Sequence, residues 1–156
     1  MTVPSPDNKQ KPIDSSVLES FVGYNARRAS LVIIDVFLKR MAVHDLRTVD
    51  FSILSLIAHN PGITSRQLAG SLSLLPPNVV GLVNAIEKRG LIKRQPHPVD
   101  GRAVGLHVTA KGEKFVAEAE RTAEQLEIEA TSGLTVAERK TLIRLLQKVY
   151  RGKMTL

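Results

Sequence analysis

The 156 residues carry 22 Lys and Arg against 15 Asp and Glu, a formal charge of +7, and 43% of them are apolar but only 4% aromatic. That length suits one domain, or a small domain with helical extensions, packed around aliphatic side chains, and the positive excess suits a polyanion, an acidic substrate or a membrane surface equally well. With no cysteine, disulfides, thiolate zinc sites, thiol redox sensing and cysteine nucleophiles are excluded.

Residues 1–14, MTVPSPDNKQKPID, are polar and Pro-containing with zero formal charge, and predict a disordered arm that is neither a signal peptide nor a basic DNA-clasping tail. From Ser16 the pattern turns apolar. Ser16 and Glu19 have the spacing of a capping box, in which hydroxyl and carboxylate satisfy free backbone donors at a helix start. Val17, Leu18, Phe21, Val22, Tyr24, Leu31, Val32, Ile34, Val36, Phe37 and Leu38 then predict one long helix to about Val43. Its apolar residues cover more of the circumference than a single core-facing stripe needs, so a second chain is expected against it.

A second helix is predicted from Thr48 to His59, ended by Asn60-Pro61-Gly62. Thr64 and Gln67 form another capping box, opening a short helix through Leu72. Ser73 and Leu74 make a turn, and a further helix runs from about Pro76 to Arg89, with Gly90 able to take the left-handed conformation that closes it. Leu91 to Arg94 and Val104 to Val108 flank a Pro-, Asp- and Gly-rich tip, and so predict an antiparallel hairpin. Thr109 caps a helix to about Ala130 whose apolar side is Phe115, Val116, Ala119, Ala123, Leu126 and Ile128. Thr135 and Glu138 open the last helix, striped by Leu142, Ile143, Leu145, Leu146, Val149 and Tyr150. No stretch approaches the roughly 20 apolar residues of a membrane span, and a cytoplasmic protein is expected.

The stretch from Thr64 to Thr109 thus reads as a winged helix-turn-helix. Leu68, Leu72, Leu74, Val79 and Leu82 occupy positions that must be buried, and Ala69 allows the second helix to approach closely. An ordinary helical hairpin would leave the wing unexplained. Charge by segment is 0 for residues 1–14, +2 for 15–47, 0 for 48–86, +3 for 87–102, −3 for 103–134 and +5 for 135–156. The wing is therefore basic and the helix after it acidic, an orientation that would turn that helix away from a phosphate backbone. The +5 of the last helix is read as a solvated face. Arg102 at the hairpin tip can enter a narrow minor groove, while Asp100 either holds its guanidinium or shapes the turn.

These elements resemble the multiple antibiotic resistance regulator (MarR) family of transcription factors. The resemblance is carried by Gln67-Leu68-Ala69, by Ile86-Glu87-Lys88-Arg89-Gly90-Leu91-Ile92, by Asp100-Gly101-Arg102 and by Thr109-Ala110-Lys111-Gly112, and spans about Ser16 to Arg151. It implies a mainly α fold with a small β-hairpin wing, arranged as a dimerisation helix (15–47), a DNA-binding lobe (48–109) and dimerisation helices (110–156). It implies a homodimer on a pseudo-palindromic operator, more often a repressor, released by a small aromatic or phenolic effector.

On the reading helix the groove-facing positions are Pro76, Pro77, Val80, Gly81, Asn84 and Lys88, where relatives commonly place Ser, Thr and Arg. Val80 and Pro77 can touch only thymine methyls, and Asn78 and Asn84 are the amides able to bond a base edge. Lys88, Lys93 and Arg94 are expected at phosphates and Arg102, positioned by Asp100, in the minor groove. Tyr24, Arg27 and Arg28 are candidates for holding an organic anion, against a reading in which Tyr24 packs at the dimer interface and the arginines are solvated. His44, His59, His97 and His107 are scattered without metal-ligand spacing, no nucleotide-binding or nucleophile motif occurs, and no cofactor or enzymatic activity is expected. The competing function is a winged-helix dimer that binds a protein partner through the apolar, glycine-containing face and has little sequence-specific DNA binding.

Overall fold

The computed structural model describes residues 12–152. Of the arm expected over 1–14, Pro12, Ile13 and Asp14 are described, and they are exposed and irregular. By its contacts the chain divides into one unit up to Val32 and another from Ile33 onward.

In the first unit the single long helix expected from Ser16 is broken. A one-turn helix, α1 (Ser16–Glu19), precedes α2 (Val22–Met41). The cause is competition by short polar side chains for the backbone. The Ser16 N–H donates to Asp14 Oδ1 at 3.0 Å, and the Ser15 hydroxyl rather than that of Ser16 reaches the Glu19 carboxylate, so the expected capping box does not form. Ser20 Oγ donates to the Val17 carbonyl at 2.7 Å, ending the turn. Asn25 Nδ2 then donates to the carbonyls of Glu19 and Phe21 at 2.7 and 2.9 Å, which satisfies acceptors the break would leave free. Val17, Leu18, Phe21, Val22, Leu31 and Val32 are all exposed.

The second unit carries the end of α2, a 3₁₀ turn at Ala42–His44, and then α3 (Thr48–His59), α4 (Ser65–Leu72) and α5 (Pro76–Lys88). The hairpin follows as β1 (Ile92–Pro96) and β2 (Val104–Val108), and α6 (Ala110–Ala130) and α7 (Val136–Arg151) complete it. The fold is mainly helical with one two-stranded antiparallel hairpin, in the register Ile92 opposite Val108 through Pro96 opposite Val104. The first strand starts one residue later than expected and runs two residues further, into Pro96. Ile63, not foreseen as extended, adds a bridge on the other edge of β2, where Gly62 N–H donates to the Leu106 carbonyl at 2.8 Å and Leu106 N–H to the Ile63 carbonyl at 2.9 Å.

One core joins Ile53, Leu54 and Ile57 of α3 to Leu68 and Ala69 of α4, Val79, Val83 and Ile86 of α5, Leu91, Ile92 and Leu106 of the hairpin and Val116 of α6. A second gathers Phe37, Met41, Leu46, Ala119 and Leu126, with the Phe37 and Phe51 rings edge to face at 5.7 Å. Ile128 is exposed rather than on the apolar side of α6. It lies two residues beyond the buried Leu126, about 200° around the helix, so the two cannot share a face. α7 buries no residue within the chain, and its whole apolar stripe stands open. Its first turn is nonetheless well made. Thr135 and Glu138 exchange bonds across the capping box, and the Thr135 backbone N–H holds the Glu138 carboxyl below its ordinary range.

Thr109 joins the wing to α6. Its hydroxyl accepts from the Gly112 N–H at 3.0 Å and donates to the Gly90 carbonyl at 2.7 Å. Thr109→Ala removes both bonds, and is expected to lower stability by about 1–2 kcal/mol in urea unfolding at fixed protein concentration. An unchanged midpoint would show that neither bond matters.

Candidate nucleic-acid interface

The two short helices that build this surface are held by local chemistry. Thr64 and Gln67 form their capping box, Ser73 takes a left-handed conformation (φ 52°), and the Leu74 N–H donates to the Ala69 carbonyl at 2.9 Å. The chain between α4 and α5 is thereby bent through 115°, the geometry of a helix-turn-helix. Leu68, Ala69 and Val79 are buried at the crossing, while Leu72, Leu74 and Leu82 are only half-buried, and Val83 and Ile86 complete the inner face.

Pro76, Pro77, Asn78, Val80, Gly81, Asn84 and Lys88 all lie on the exposed side of α5. Two prolines open the helix at no cost in hydrogen bonding, since first-turn N–H groups have no intrahelical acceptor. Leu75 precedes them without a side-chain capping bond. Apart from Asn78, the face so presented is small and apolar at its N-terminal end, and it is polar from Asn84 onward.

Lys93 and Arg94 are exposed on β1, and the tip folds as a tight turn in which the Ala103 N–H donates to the Asp100 carbonyl at 2.9 Å. Asp100 Oδ1 accepts from the Arg102 backbone N–H at 3.1 Å. Of the two roles open to it, the carboxylate therefore shapes the turn and does not hold the guanidinium. Among the described residues the side chains of Lys88, Lys93 and Arg102 have no ion-pair partner. Arg94 does. One of its nitrogens donates to Asn84 Oδ1 at 2.6 Å and the other pairs with the Glu87 carboxylate, which ties the wing to the exposed side of α5.

Three further residues matter here that periodicity and spacing did not single out. His97 Nδ1 accepts from the backbone N–H groups of Val99 and Asp100 at 3.3 and 3.2 Å, so its ring organises the tip. Arg89 donates to the carbonyls of Asp45 and His44 at 2.9 and 2.8 Å and stacks 5.1 Å over the Phe115 ring, which makes it a clamp on the C-terminal end of α5 rather than a free cation. His59 is not remote from carboxylates as its position in the sequence suggested. Its Nε2 lies 2.8 Å from Glu120 Oε1, which also accepts from Ser55 Oγ at 2.8 Å. Only His97, within the Pro- and Gly-rich tip, stood where a turn-forming role could have been suspected.

In the first unit, Tyr24 is half-buried and Arg27 and Arg28 are exposed on α2. The three share a helix segment, but no ion pair or hydrogen bond joins their side chains among the described residues. The acidic residues of α6 are partly used internally, Glu120 as above and Glu129 with Arg40 at 2.6 Å. No ion pair links α6 to the basic α7 among the described residues; Arg139 instead donates to Thr131 Oγ1 at 2.6 Å.

Comparison with known proteins bears on this surface. The MarR family model matches residues 46–104, the segment from Leu46 to the first residue of the second wing strand. A Thauera aromatica protein named for transcriptional regulation of the hcr operon is 30% identical over 152 residues, covering 92% of each chain. The transcriptional repressor CouR, solved bound to a 23-mer DNA duplex, superposes with a TM-score of 0.83 at 32% identity, over 90% of this chain and 99% of that one. CouR from Rhodococcus jostii RHA1, solved with p-coumaroyl-CoA, has the same fold at 24% identity, with a TM-score of 0.78 over 86% of this chain and 95% of that one.

Proposed function

The chain belongs to the MarR family of transcriptional regulators, and from that premise we propose that it is a homodimeric repressor that binds a pseudo-palindromic operator and responds to a small organic ligand. The observation that carries the DNA-binding part is the Arg94 bridge to Asn84 and Glu87, which makes the wing and the exposed side of α5 one continuous surface. On it Lys88 and Lys93 meet phosphates, Arg102 enters the minor groove, and Pro77, Asn78, Val80, Gly81 and Asn84 face the major groove. The repressor at 32% identity, bound to a duplex, supports both the polarity of regulation and DNA as the partner.

Dimerisation is supported by the faces left open in one chain. Leu142, Ile143, Leu145, Leu146, Val149 and Tyr150 of α7 are exposed, as are Val17, Leu18, Phe21 and Val22 before and at the start of α2. Stripes of this size are rarely left in water. Light scattering is expected to give the mass of two chains, and a single-chain mass would remove the basis for a two-half-site operator. In a dimer Tyr24, Arg27 and Arg28 can hold a small aromatic or phenolic anion by ring stacking and guanidinium pairing. Such a regulator works in the cytoplasm, consistent with the finding that no described helix is long and apolar enough to cross a membrane.

Selection of bound fragments from the source genome tests the proposal. A small set of enriched sites sharing an inverted repeat is expected. Recovery of fragments in proportion to their abundance would favour the second reading, a winged-helix dimer that docks a protein partner on the apolar stretch Pro76, Pro77, Val80 and Gly81, where Val80 is 47% exposed.

A further inference from the structure

Asn84 and Glu87 stand three residues apart on α5 and so share one side of the helix. Both face the same guanidinium. Arg94, on β1 opposite Leu106, donates through Nη2 to Asn84 Oδ1 at 2.6 Å and through Nη1 to the Glu87 carboxylate. The arginine and glutamate side chains are 38% and 34% exposed, so the bridge lies at the rim of the surface and is not fully solvated. An arginine has only donors, and the atom of the asparagine amide that it holds must therefore be the oxygen. That settles which way the amide is turned: Oδ1 points back at the wing and Nδ2, with its two N–H groups, points away.

We propose that Arg94 is a positioning residue that turns Asn84 into a donor-only reader, so that the operator base opposite it is guanine in preference to adenine. This rests on the DNA-binding reading above. Asparagine ordinarily selects adenine by a paired contact, its oxygen accepting from N6 and its nitrogen donating to N7. Here the oxygen is already engaged by the guanidinium, which leaves the amide poorly placed to accept from the adenine amino group. Guanine offers O6 and N7, two acceptors, to the outward N–H groups. Glu87 completes the arrangement by balancing the arginine's charge, so Arg94 is held off the phosphates that Lys88 and Lys93 remain free to meet. The side chain that looks from the sequence like one more backbone contact thus acts on specificity.

The test uses the full-length protein and an operator recovered by genomic selection, with each base of a half-site varied in turn. Asn84→Ala identifies the position that Asn84 reads, because base preference there collapses. At that position the wild type is expected to prefer guanine to adenine by roughly tenfold. Arg94→Ala frees the amide to turn over, and is expected to abolish or reverse that preference at this position while the other positions keep theirs. Asn84→Asp, which keeps the Arg94 pairing but has no donors, is expected to disfavour guanine at the same base. Thermal unfolding of each variant confirms that it folds. The proposal is overturned if the wild type prefers adenine there, or if Arg94→Ala weakens binding uniformly over all bases and lowers the salt dependence by about one phosphate contact. Absence of any base preference in the wild type would instead sink the DNA-binding reading on which the proposal stands.

Discussion

Gly112→Ala is expected to cost about 3 kcal/mol of stability or more, the largest effect of a methyl group added at any glycine of this chain. Gly112 lies in the first turn of α6, where the helix rests directly on the backbone between α5 and the wing. A Cβ built there falls 1.9 Å from the Leu91 carbonyl oxygen and 2.9 Å from its carbon. Neither side can yield cheaply. The Leu91 side chain is fully buried, its carbonyl already accepts from the Thr109 N–H at 3.0 Å, and Thr109 is itself tied to Gly90. Relief requires moving the start of α6, and with it the register of the hairpin on the core. Urea unfolding at one protomer concentration reads the loss. Gly105→Ala, whose added carbon would sit 3.1 Å from Gly62, is the graded comparison and should cost less. Gly70→Ala, exposed in the last turn of α4 with nothing within 4 Å, should gain up to about 1 kcal/mol through helix propensity. Equal midpoints for Gly112→Ala and the wild type would mean that the close approach of α6 to Leu91 is not present in solution.

Arg102→Ala is expected to weaken operator binding well beyond tenfold at fixed salt, a loss of about 1.4 kcal/mol or more, with unfolding unchanged. The tip does not use the Arg102 side chain for its own structure. His97 and Asp100 shape the turn through backbone N–H groups, and the Arg102 guanidinium has no partner among the described residues. An exposed cation on a rigid turn enters DNA without first breaking an internal bond, so its removal acts on binding and not on folding. Mobility shift on the selected operator measures it. An unchanged affinity would remove the wing from the interface.

Most of the scaffold could be read directly because its determinants are local. Thr64 with Gln67, Thr109 with Gly112, and Thr135 with Glu138 are caps written within four residues, and the helices they open begin where those pairs place them. The same rule failed at Ser16, where Asp14 and Ser15 offered the backbone nearer partners. Apolar periodicity also ran unbroken through Ser20 and Phe21, because a helix can stop for reasons of hydrogen bonding while the hydrophobic pattern continues. Asn25, which repairs that break, carries no periodic signal at all.

The interface was less legible for a related reason. Which residues lie on the exposed side of α5 follows from a period of 3.6, and Pro77, Asn78, Val80, Gly81, Asn84 and Lys88 are indeed there. What each cation does depends on contacts across the fold. Arg89 and Arg94 look alike as basic residues near the wing. One is bonded to carbonyls 44 and 45 residues earlier, and the other to a side chain ten residues earlier around a helix end. Counting charge over 87–102 treats them with Arg102 as equals, whereas among the described residues of that segment only the cations of Lys88, Lys93 and Arg102 have neither an ion-pair nor a hydrogen-bond partner. The apolar stripe of α7 is the converse case, plain in the sequence and left without a partner in one chain.

Recognition of particular DNA sites is tested by the affinity for a selected operator and for a random duplex of the same length, titrated over a range of salt. Log affinity is expected to fall linearly with log salt for both duplexes, with the operator bound at least about a thousandfold tighter at physiological salt. Equal affinities at every salt concentration would contradict it.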